Sequence, residues 1–333
     1  MKAIIPTAGV GSRLRPFTHT VPKVLLQVAD KPILGHILDR LIAEDIRDVT
    51  FVVGYLGEMI EEYVRKEYGD IKSHFVEQKE ARGLGHAIYI TKDTLADCDE
   101  PVLIILGDTI VQADLSILHD SETDLIGVCE VDDPSRFGIV ELDGEMITRM
   151  VEKPAKPKTN LAIVGLYYLN NIELLYQCLE ENIDNDVKTK GEIQLTDALQ
   201  LMLEKGTKMK SFKAQGWYDC GKPETLLATN KTLLEQKHMN NIEELQDRFP
   251  GTAFKAPVYV GPGAEVTNSI IGPYVTVAAG AKVDNSIAAN SIINSGATVQ
   301  NILLGESIIG NDARVERKAV RLNVGDRSEV VFD

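Results

Sequence analysis

In the last quarter of this chain an aliphatic residue recurs at steps of mostly five or six positions, with small residues, Gly and Asn between. The recurring residues are Val260, Val266, Ile271, Val277, Val283, Ile293, Val299, Leu304, Ile309 and Val315. An α-helix repeats its apolar face at a period of about 3.6 residues and a strand at a period of about 2, so neither explains these steps. A hexapeptide repeat places one inward-facing residue on each flat side of a triangular coil. Because the register persists over the whole segment, a parallel β-helix is favoured over a β-sandwich of short strands.

The first part of the chain has a different rhythm, in which short apolar runs alternate with segments of helical period. Strands are predicted at 2–7, 49–54, 72–77 and 102–107, and helices at Ile33–Ala43, Glu58–Tyr68 and Gly83–Leu95. This alternation predicts an α/β fold with a Rossmann-like, mostly parallel sheet and helices on both of its faces. Further strands are expected over 124–169, with a hairpin around Asp143-Gly144, and further helices near 171–181, 194–205 and 223–236.

The change of rhythm divides the chain into domains. At 333 residues the chain exceeds the usual size of a single core, so two domains are expected. We assign residues 1–236 to the α/β domain and residues 257–333 to the β-helix. The segment 237–256 fits neither pattern and is predicted to be a linker.

A glycine-rich basic loop follows the first predicted strand. Gly9-Val10-Gly11-Ser12-Arg13 comes directly after the buried run, and Arg15 and Lys23 follow it. Glycines allow a tight turn whose N–H groups approach an anion, and the cations can hold several phosphates. A dinucleotide fingerprint would need a third glycine where Leu14 stands, and a P-loop would need Gly-Lys-Ser/Thr. The loop therefore predicts a polyphosphate site of another kind at the carboxyl end of the strand.

Composition narrows the choice of partners and compartment. The formal net charge of −15 argues against nucleic acid as a partner. The excess of acidic residues lies in the first 250 residues, the part of the chain that also contains the basic loop. A basic pocket in an acidic body is consistent with a small anionic ligand. The sequence shows neither an apolar run of membrane-spanning length nor a secretory leader. Its four cysteines lack metal-binding spacing, so we expect reduced thiols and a cytoplasmic protein without membrane contact.

Two aspartates are candidate metal ligands. Asp108 follows the apolar run Val102–Leu106, and Asp219 lies in the sequence Gly-Trp-Tyr-Asp-Cys-Gly. A carboxylate just beyond a buried parallel strand sits at the edge of the sheet where ligands bind. Mg²⁺ usually takes one or two protein carboxylates together with substrate phosphates. The pair therefore predicts a Mg²⁺ site.

Other polar residues could complete a ligand site. Lys153 could hold a phosphate and Glu152 could accept hydrogen bonds from hydroxyl groups, although a solvated ion pair is the alternative. Gln78 could present its amide to a base edge, with Gly83 leaving room for the ring. The six histidines are scattered, and neither a Gly-x-Ser-x-Gly nor a His-Glu-x-x-His motif occurs.

Together these residues resemble the sugar-phosphate nucleotidylyltransferase family, and within it the glucose-1-phosphate thymidylyltransferase-like members. The resemblance runs in family order over about residues 1–235. The matching residues are Gly9 to Leu14 with Pro16, Thr18, Pro22 and Lys23, then Gln78, Gly83, Leu106-Gly107-Asp108, Phe137-Gly138, Glu152-Lys153-Pro154, Gly165-Leu166-Tyr167 and Trp217 to Gly221. The repeats at the end of the chain resemble the left-handed β-helix that some members carry.

The resemblance implies a role for each matching residue. Arg13, Lys23 and Asp108 would be catalytic, and Asp108 and Asp219 would hold Mg²⁺. The loop and Arg13 would embrace a nucleoside triphosphate, Lys23 and Lys153 would hold phosphates, Glu152 would bind sugar hydroxyls, and Gln78 and Gly83 would read the base. The implied substrate-binding residues are Ala8, Gly9, Gly11, Ser12, Gln78, Gly83, Gly138, Glu152, Lys153 and Gly165.

The implied reaction is attack by a sugar-1-phosphate oxygen on the α-phosphorus of the triphosphate, with loss of pyrophosphate. The attacking oxygen is already ionised near neutral pH, so positioning and charge neutralisation suffice without a general base. The expected substrates are dTTP or UTP and glucose-1-phosphate. Thr109 stands where thymidylyltransferases usually have Asn, and the stretch 82–87 is more similar to bacterial uridylyltransferases.

Other functions remain as alternatives. They are a mannose-1-phosphate guanylyltransferase and a non-catalytic regulatory subunit that binds sugar nucleotides. A coil that also transfers acyl groups is disfavoured, because such transferases usually use a histidine base and residues 251–333 contain none. The β-helix is expected to form a homo-oligomer, since such prisms present flat faces and open ends to other subunits.

Overall fold

The computed structural model describes residues 1–318 except 97, 120 and 238, together with 324, 325, 327–329 and 331. It contains two compact units, Met1–Thr229 and Asn230–Asp333. The last part of the predicted β-helix, namely 319–323, 326, 330, 332 and 333, lies outside the described residues. Within the described residues, no helix combines the length and the apolar character needed to cross a membrane.

Six helices begin in the first unit. They are α1 (Ile33–Ala43), α2 (Gly57–Glu67), α3 (Leu84–Tyr89), α4 (Ile172–Asp184), α5 (Leu195–Glu204) and α6 (Pro223–Lys237). The predicted helix Gly83–Leu95 is in fact α3 followed by a short 3₁₀ turn at Lys92–Leu95. The boundary between the two units falls within α6.

The strands of the first unit include those predicted at 2–7, 49–54, 72–77, 102–107 and within 124–169, together with others that the sequence did not predict. They are β1 (Lys2–Pro6), β2 (Gln27–Val28), β3 (Lys31–Pro32), β4 (Asp48–Val53), β5 (Lys72–Glu77), β6 (Val102–Ile105), β7 (Thr109–Gln112), β8 (Asp124–Glu130), β9 (Gly138–Asp143), β10 (Met146–Glu152), β11 (Leu161–Leu169), β12 (Met209–Lys213) and β13 (Gly216–Asp219). The predicted hairpin is formed by β9 and β10, in which Met146 pairs with Asp143.

Nine of these strands form one sheet in the order β5-β4-β1-β6-β11-β8-β12-β10-β9. The strands β5, β4, β1 and β6 are parallel, which confirms the βαβ prediction. Beyond them the sheet is mixed, because β11 runs antiparallel to both β6 and β8. Antiparallel neighbours need no crossover helix, and the chain reaches β11 from the β9–β10 hairpin without one. The predicted mostly parallel sheet is therefore a mixed sheet with a parallel half.

The second unit is a coil of three parallel sheets, in the arrangement of a left-handed β-helix. Its elements are helix α7 (Ile242–Arg248) and strands β14 (Ala253–Phe254), β15 (Val258–Val260), β16 (Glu265–Thr267), β17 (Ile270–Ile271), β18 (Val275–Val277), β19 (Lys282–Asp284), β20 (Ile287–Ala289), β21 (Ser291–Ile293), β22 (Thr298–Gln300), β23 (Leu303–Gly305), β24 (Ile308–Ile309) and β25 (Arg314–Glu316). The three sheets have the orders β14-β17-β20-β23, β15-β18-β21-β24 and β16-β19-β22-β25.

The coil changes the length of its turn along the chain. In the first sheet Ile270 pairs with Ile287, seventeen residues later, whereas Ile287 pairs with Leu303, sixteen residues later. In the second sheet the step from Val275 to Ser291 is already sixteen. The shortening therefore occurs at the corner between β20 and β21.

The predicted inward-facing residues form the core of the coil. From Val260 to Val299 those that the repeat predicted are at most 3% exposed, Leu304 is 8% exposed, and Ile309 and Val315 are partly buried. Three parallel sheets that share one core confirm the repeat interpretation and contradict the β-sandwich. Ala288, which the repeat analysis omitted, fills the inward position between Ile271 and Leu304.

The segment 237–256 differs from the linker that the sequence suggested. It contains α7 and β14, the first strand of the coil. Leu245, Phe249 and Phe254 are buried in the same cluster as the aliphatic residues of the coil. The repeat pattern could not find this segment because it contributes aromatic residues and a helix rather than a hexapeptide.

Candidate functional site

A cavity of about 350 Å³ opens at the carboxyl ends of the parallel strands of the first unit. Six of the residues predicted for the site line it, namely Ala8, Gly9, Lys23, Gln78, Gly83 and Asp108. The other lining residues include Thr7, Val24, Leu84, Leu106 and Glu192. This is the position at which open α/β sheets bind ligands.

The pairing of the parallel strands brings the loop after β1 and the residues after β6 to one edge. Thr7 follows β1, and both its backbone N–H and its hydroxyl donate to the carbonyl oxygen of Val52 in β4, at 2.8 and 2.7 Å. On the other side, the N–H of Gly107 donates to the carbonyl oxygen of Pro6 at 3.4 Å. These bonds hold Ala8 and Asp108 on the wall of the same cavity.

The two glycines of the glycine-rich loop differ in their surroundings, because Gly9 has open space beside its Cα atom and Gly11 is packed against side chains. A Cβ atom on Gly9 would meet no atom within 4 Å, which leaves its backbone open to a ligand. Gly11 has φ of 66°, and a Cβ there would lie 3.0 Å from side-chain atoms of Lys23 and Thr18. Thr18 also donates its hydroxyl to the carbonyl oxygen of Gly11 at 2.9 Å. Gly11 therefore lets the loop approach Lys23 closely.

Lys23 and Asp108 form an ion pair on the wall of the cavity. The Nζ atom of Lys23 lies 2.6 Å from Oδ2 of Asp108, and Lys23 is only 7% exposed. Burial by itself would raise the pKa of the Asp108 carboxyl, but the Lys23 ammonium and hydrogen bonds from Lys23 and Thr109 outweigh it and hold this pKa below its usual range. Asp108 is therefore ionised at neutral pH.

Asp219 lies beside Asp108 because β13 pairs with β7. Asp219 is opposite Thr109 in this antiparallel pair, and the N–H of Cys220 donates to the carbonyl oxygen of Asp108 at 3.2 Å. A Cβ on Gly221 would lie 2.7 Å from Oδ1 of Asp219 and 3.3 Å from Nη2 of Arg13. The pairing thus places Asp219 close to both Asp108 and Arg13.

Two carboxylates at one edge fit a magnesium ion held partly by its substrate. Among the described residues, no three His, Cys, Asp or Glu side chains come together as a complete metal site. Mg²⁺ retains several water ligands and commonly takes one or two carboxylates with substrate phosphates. Asp108 and Asp219, next to a loop suited to phosphates, match that donor set.

Glu152 and Lys153 form a second polar cluster, at the end of β10. The Glu152 side chain is 9% exposed and the Lys153 side chain 37% exposed, and Oε1 of Glu152 lies 3.0 Å from Nζ of Lys153, so the carboxylate end of the pair is shielded from solvent. Thr196 donates its hydroxyl to Oε2 of Glu152 at 2.7 Å. A Cβ on Gly138 would lie 2.9 Å from that same oxygen, which explains a glycine there. Lys153 has φ of 42°, a strained conformation of the kind found at functional sites.

A buried tyrosine lies within electrostatic range of both clusters. Burial raises the pKa of Tyr167, and the carboxylates of Glu152 and Asp108 raise it further. Tyr167 belongs to β11, which pairs with β6 just before Asp108. The carboxylates of Glu152 and Asp108 therefore both act electrostatically on one hydroxyl group.

Gln78 is anchored by the loop that it precedes. Its Nε2 donates to the carbonyl oxygen of Gly83 at 3.2 Å and to Nδ1 of His86 at 3.1 Å. Burial, with help from the charge of Arg82, lowers the pKa of His86, so the ring is neutral at pH 7 and can accept this bond. Gly83 has φ of 109°, and a Cβ there would lie 2.5 Å from the carbonyl oxygen of Ile193.

Gly165 stands behind the cavity wall. It has φ of 80°, and a Cβ there would lie 2.6 Å from side-chain atoms of Leu106, which itself lines the cavity. The N–H of Leu106 donates to the carbonyl oxygen of Gly165 at 3.0 Å. Its position favours a supporting role over the direct substrate contact that the sequence predicted.

Two residues that precede or begin α5 contact the site although no sequence motif predicted them. Glu192 lines the cavity, and Thr196 bonds Glu152. The sequence predicts a helix near 194–205, and helical periodicity by itself indicates no ligand contact. The signal available was the polar stretch Thr189 to Glu192, which ends shortly before the first residue of a helix.

Comparisons with known proteins identify the family of the chain. The sequence model of the family described as Nucleotidyl transferase matches residues 2–236. A glucose-1-phosphate thymidylyltransferase of Streptomyces antibioticus is 34% identical over 307 residues, 86% of this chain and 80% of that protein. The low-salt glycan biosynthesis nucleotidyltransferase Agl11 of Haloferax volcanii is 34% identical over 259 residues, 74% of this chain and 70% of that protein.

Two further matches each cover 71% of this chain. The bifunctional protein GlmU of Methanocaldococcus jannaschii is 38% identical over 239 residues, 71% of this chain but only 55% of that longer protein. Among solved structures, a UDP-glucose pyrophosphorylase complexed with UDP-glucose superposes with a TM-score of 0.61 at 25% identity, covering 71% of this chain and 99% of the other. The matched family model covers the whole α/β unit and every residue of the candidate site, and the chain therefore belongs to the nucleotidyl transferase family.

Proposed function

We propose that this protein transfers a nucleotidyl group from a nucleoside triphosphate to a sugar-1-phosphate, giving a nucleoside diphosphate sugar and pyrophosphate. The observation that carries the proposal is the Lys23–Asp108 pair at 2.6 Å, in a cavity whose other wall is the glycine-rich loop. A cation and a carboxylate beside an open backbone suit phosphate chemistry. Family membership and the named relatives support the same class of reaction.

The proposed reaction needs charge and alignment rather than a nucleophilic side chain. A phosphate oxygen of the sugar-1-phosphate forms a bond to the α-phosphorus, and the bond from that phosphorus to the β-phosphate oxygen breaks. The leaving pyrophosphate carries the electron pair. Arg13 and Lys23 would offset charge on the triphosphate and the attacking phosphate, while Lys153 would orient the sugar phosphate. Glu152 would accept hydrogen bonds from sugar hydroxyls.

We propose that Asp108 and Asp219 hold Mg²⁺. When bound, the ion would supply positive charge to the reacting phosphates. The chain's own contribution is an Asp108 carboxylate kept ionised by Lys23 and an Asp219 carboxylate held next to it by the β7–β13 pairing.

The proposed substrates are dTTP or UTP and glucose-1-phosphate, with glucose-1-phosphate thymidylyltransferase as the preferred activity. Its support is the resemblance of the sequence motifs and two Streptomyces relatives named for that activity. A relative from Haloferax volcanii is named a UTP–glucose-1-phosphate uridylyltransferase, which favours UTP as the second candidate base. A guanylyltransferase and a non-catalytic regulatory subunit stay as alternatives.

Pyrophosphate release tests the proposal directly. Each of several nucleoside triphosphates is combined with each of several hexose-1-phosphates, with and without Mg²⁺. We expect one base and one sugar to dominate, and we expect Asp108→Asn to lower kcat by several orders of magnitude. Asp70→Asn, a change at an exposed aspartate, is the matched control. Absence of release for every pair would overturn the proposal and favour the regulatory alternative.

We also propose that the coil binds a second copy of the chain. Ile270, Ile287 and Leu303 occupy successive turns of one sheet and are 47%, 42% and 74% exposed. A line of exposed aliphatic side chains favours self-association. Sedimentation velocity should show an oligomer that Leu303→Asp weakens, and a monomeric wild type would contradict the proposal. A cytoplasmic location, in keeping with four free cysteines, stays a prediction.

A further inference from the structure

One short segment of the chain touches both ends of the candidate site. We name residues 192–196, which lead into α5, the bridging segment. On one side it meets the loop 82–85, which carries Gly83 of the cavity wall. On the other side it meets Glu152. These two regions are far apart in sequence, and the bridging segment is bonded directly to each of them.

The contact with the loop 82–85 is made by backbone atoms. The N–H of Ile193 donates to the carbonyl oxygen of Arg82 at 2.9 Å, and the N–H of Gly85 donates to the carbonyl oxygen of Ile193 at 2.8 Å. A Cβ on Gly85 would lie 3.0 Å from backbone atoms of Gln194. The two backbones therefore lie too close together for a side chain between them.

The contact with Glu152 is made by one hydroxyl group. Thr196 is 5% exposed, and its Oγ1 donates to Oε2 of Glu152 at 2.7 Å. The other carboxylate oxygen, Oε1, faces Lys153 at 3.0 Å. A Cβ on Gly138 would lie 2.9 Å from both Oγ1 of Thr196 and Oε2 of Glu152. Each oxygen of the carboxylate thus has its own donor in a tightly packed setting.

The helix that carries Thr196 is itself fixed to the strand that carries Glu152. One turn beyond Thr196, Oε1 of Gln200 accepts a hydrogen bond from the N–H of Met150 in β10 at 2.7 Å. Residues four positions apart lie on the same face of a helix. Helix α5 is therefore tied to β10 at two successive turns, so the position of the Thr196 hydroxyl is defined by the fold.

We propose that Thr196 is a positioning residue, which orients the Glu152 carboxylate and, through the bridging segment, keeps it in register with the loop 82–85. The inference rests on the proposed function, in which Glu152 binds the sugar. Without the hydroxyl, Oε2 of a nearly buried carboxylate loses its donor. The carboxylate then turns toward Lys153 and no longer presents the same oxygen to a sugar hydroxyl.

The test compares Thr196→Val with the wild type. Valine keeps the shape of threonine and removes the hydrogen bond to a charged group, so the Kd and KM for the sugar phosphate should rise about tenfold. The KM for the nucleoside triphosphate should change less than twofold, and Thr196→Ser should restore the wild-type values. Thr159→Val is the matched control, because Thr159 donates to the backbone oxygen of Val140 in the same sheet.

Binding of glucose-1-phosphate by calorimetric titration, in the presence of UTP or dTTP and Ca²⁺, gives a readout independent of turnover. Unchanged sugar-phosphate affinity in Thr196→Val would overturn the inference. So would equal losses for both substrates, or failure of the serine variant to rescue, since these indicate a purely structural role. If the valine variant does not fold, Thr196→Ala gives the same comparison. If the wild-type protein binds the sugar phosphate but releases no pyrophosphate, the proposed reaction is refuted. The comparison of sugar-phosphate affinity between the wild type and Thr196→Val still tests the role of Thr196.

Discussion

Gly83 offers the sharpest test of how the cavity is built, through the substitution Gly83→Ala. Its backbone has φ of 109° and ψ of 173°, a region that only glycine adopts readily. An added methyl carbon would lie 2.5 Å from the carbonyl oxygen of Ile193 and 2.9 Å from its nitrogen. Both neighbours are backbone atoms, so the contact cannot be relieved by rotating a side chain.

The cost can be worked out from these contacts. The backbone conformation alone costs alanine about 1–3 kcal/mol. Relief of the contact requires the loop 82–85 to separate from Ile193, which weakens two backbone hydrogen bonds worth about 0.5–1.5 kcal/mol each. The total is about 2–6 kcal/mol, shared between stability and the position of the loop. If only about 1.4 kcal/mol of it falls on ligand binding, affinity changes tenfold.

We therefore expect Gly83→Ala to raise the KM for the nucleoside triphosphate at least tenfold and to lower the Tm. The assays are steady-state pyrophosphate release and thermal denaturation. Gly191→Ala is the control, because Gly191 also has a positive φ, of 84°, but a Cβ there would meet no atom within 4 Å. If Gly83→Ala affects the KM and the Tm no more than Gly191→Ala does, the close backbone approach has no energetic consequence and the reasoning is refuted.

Two further predictions concern charge. Lys23→Met should strengthen Mn²⁺ binding to the free protein, because the metal no longer competes with an ammonium group for Asp108. Lys72→Met, which breaks an exposed ion pair, is the control and should leave Mn²⁺ affinity unchanged. Equal Mn²⁺ affinities of Lys23→Met and the wild type would contradict the prediction. The second prediction follows from the lowered pKa of His86, caused by burial and by Arg82. A histidine with a lowered folded pKa contributes stability that is complete above its ordinary pKa of 6.5 and is lost as the pH falls through its folded pKa. The Tm should therefore fall more on acidification in the wild type than in His86→Gln, and parallel curves would exclude the effect.

The sequence predicted best what depends on neighbouring residues. The inward positions of the coil, the parallel half of the sheet and the hairpin follow from periodicity and turn residues, and the structure contains all three. Ala288 escaped the repeat analysis because a methyl group carries little hydrophobic signal. The segment 237–256, predicted to be a linker, joins the core of the coil through Phe249 and Phe254, which do not continue the aliphatic repeat.

The parts that escaped prediction depend on residues distant in sequence. Asp219 lies near Asp108 only because β13 pairs with β7, and no local pattern specifies that partner. The same holds for Thr196, whose hydroxyl meets Glu152 through the packing of α5 on β10. The close approach of the Gly83 backbone to Ile193 requires a glycine, but the sequence alone does not distinguish such a glycine from one in an ordinary turn.

The unequal turns of the coil bear on how such sequences can change over time. Ile270, Ile287 and Leu303 stay stacked although one turn has seventeen residues and the next has sixteen. A corner can therefore absorb the gain or loss of a residue while every inward side chain keeps its place. Single-residue insertions should be tolerated at corners and rejected within strands. Searches that demand a fixed repeat length will accordingly overlook coils of this kind.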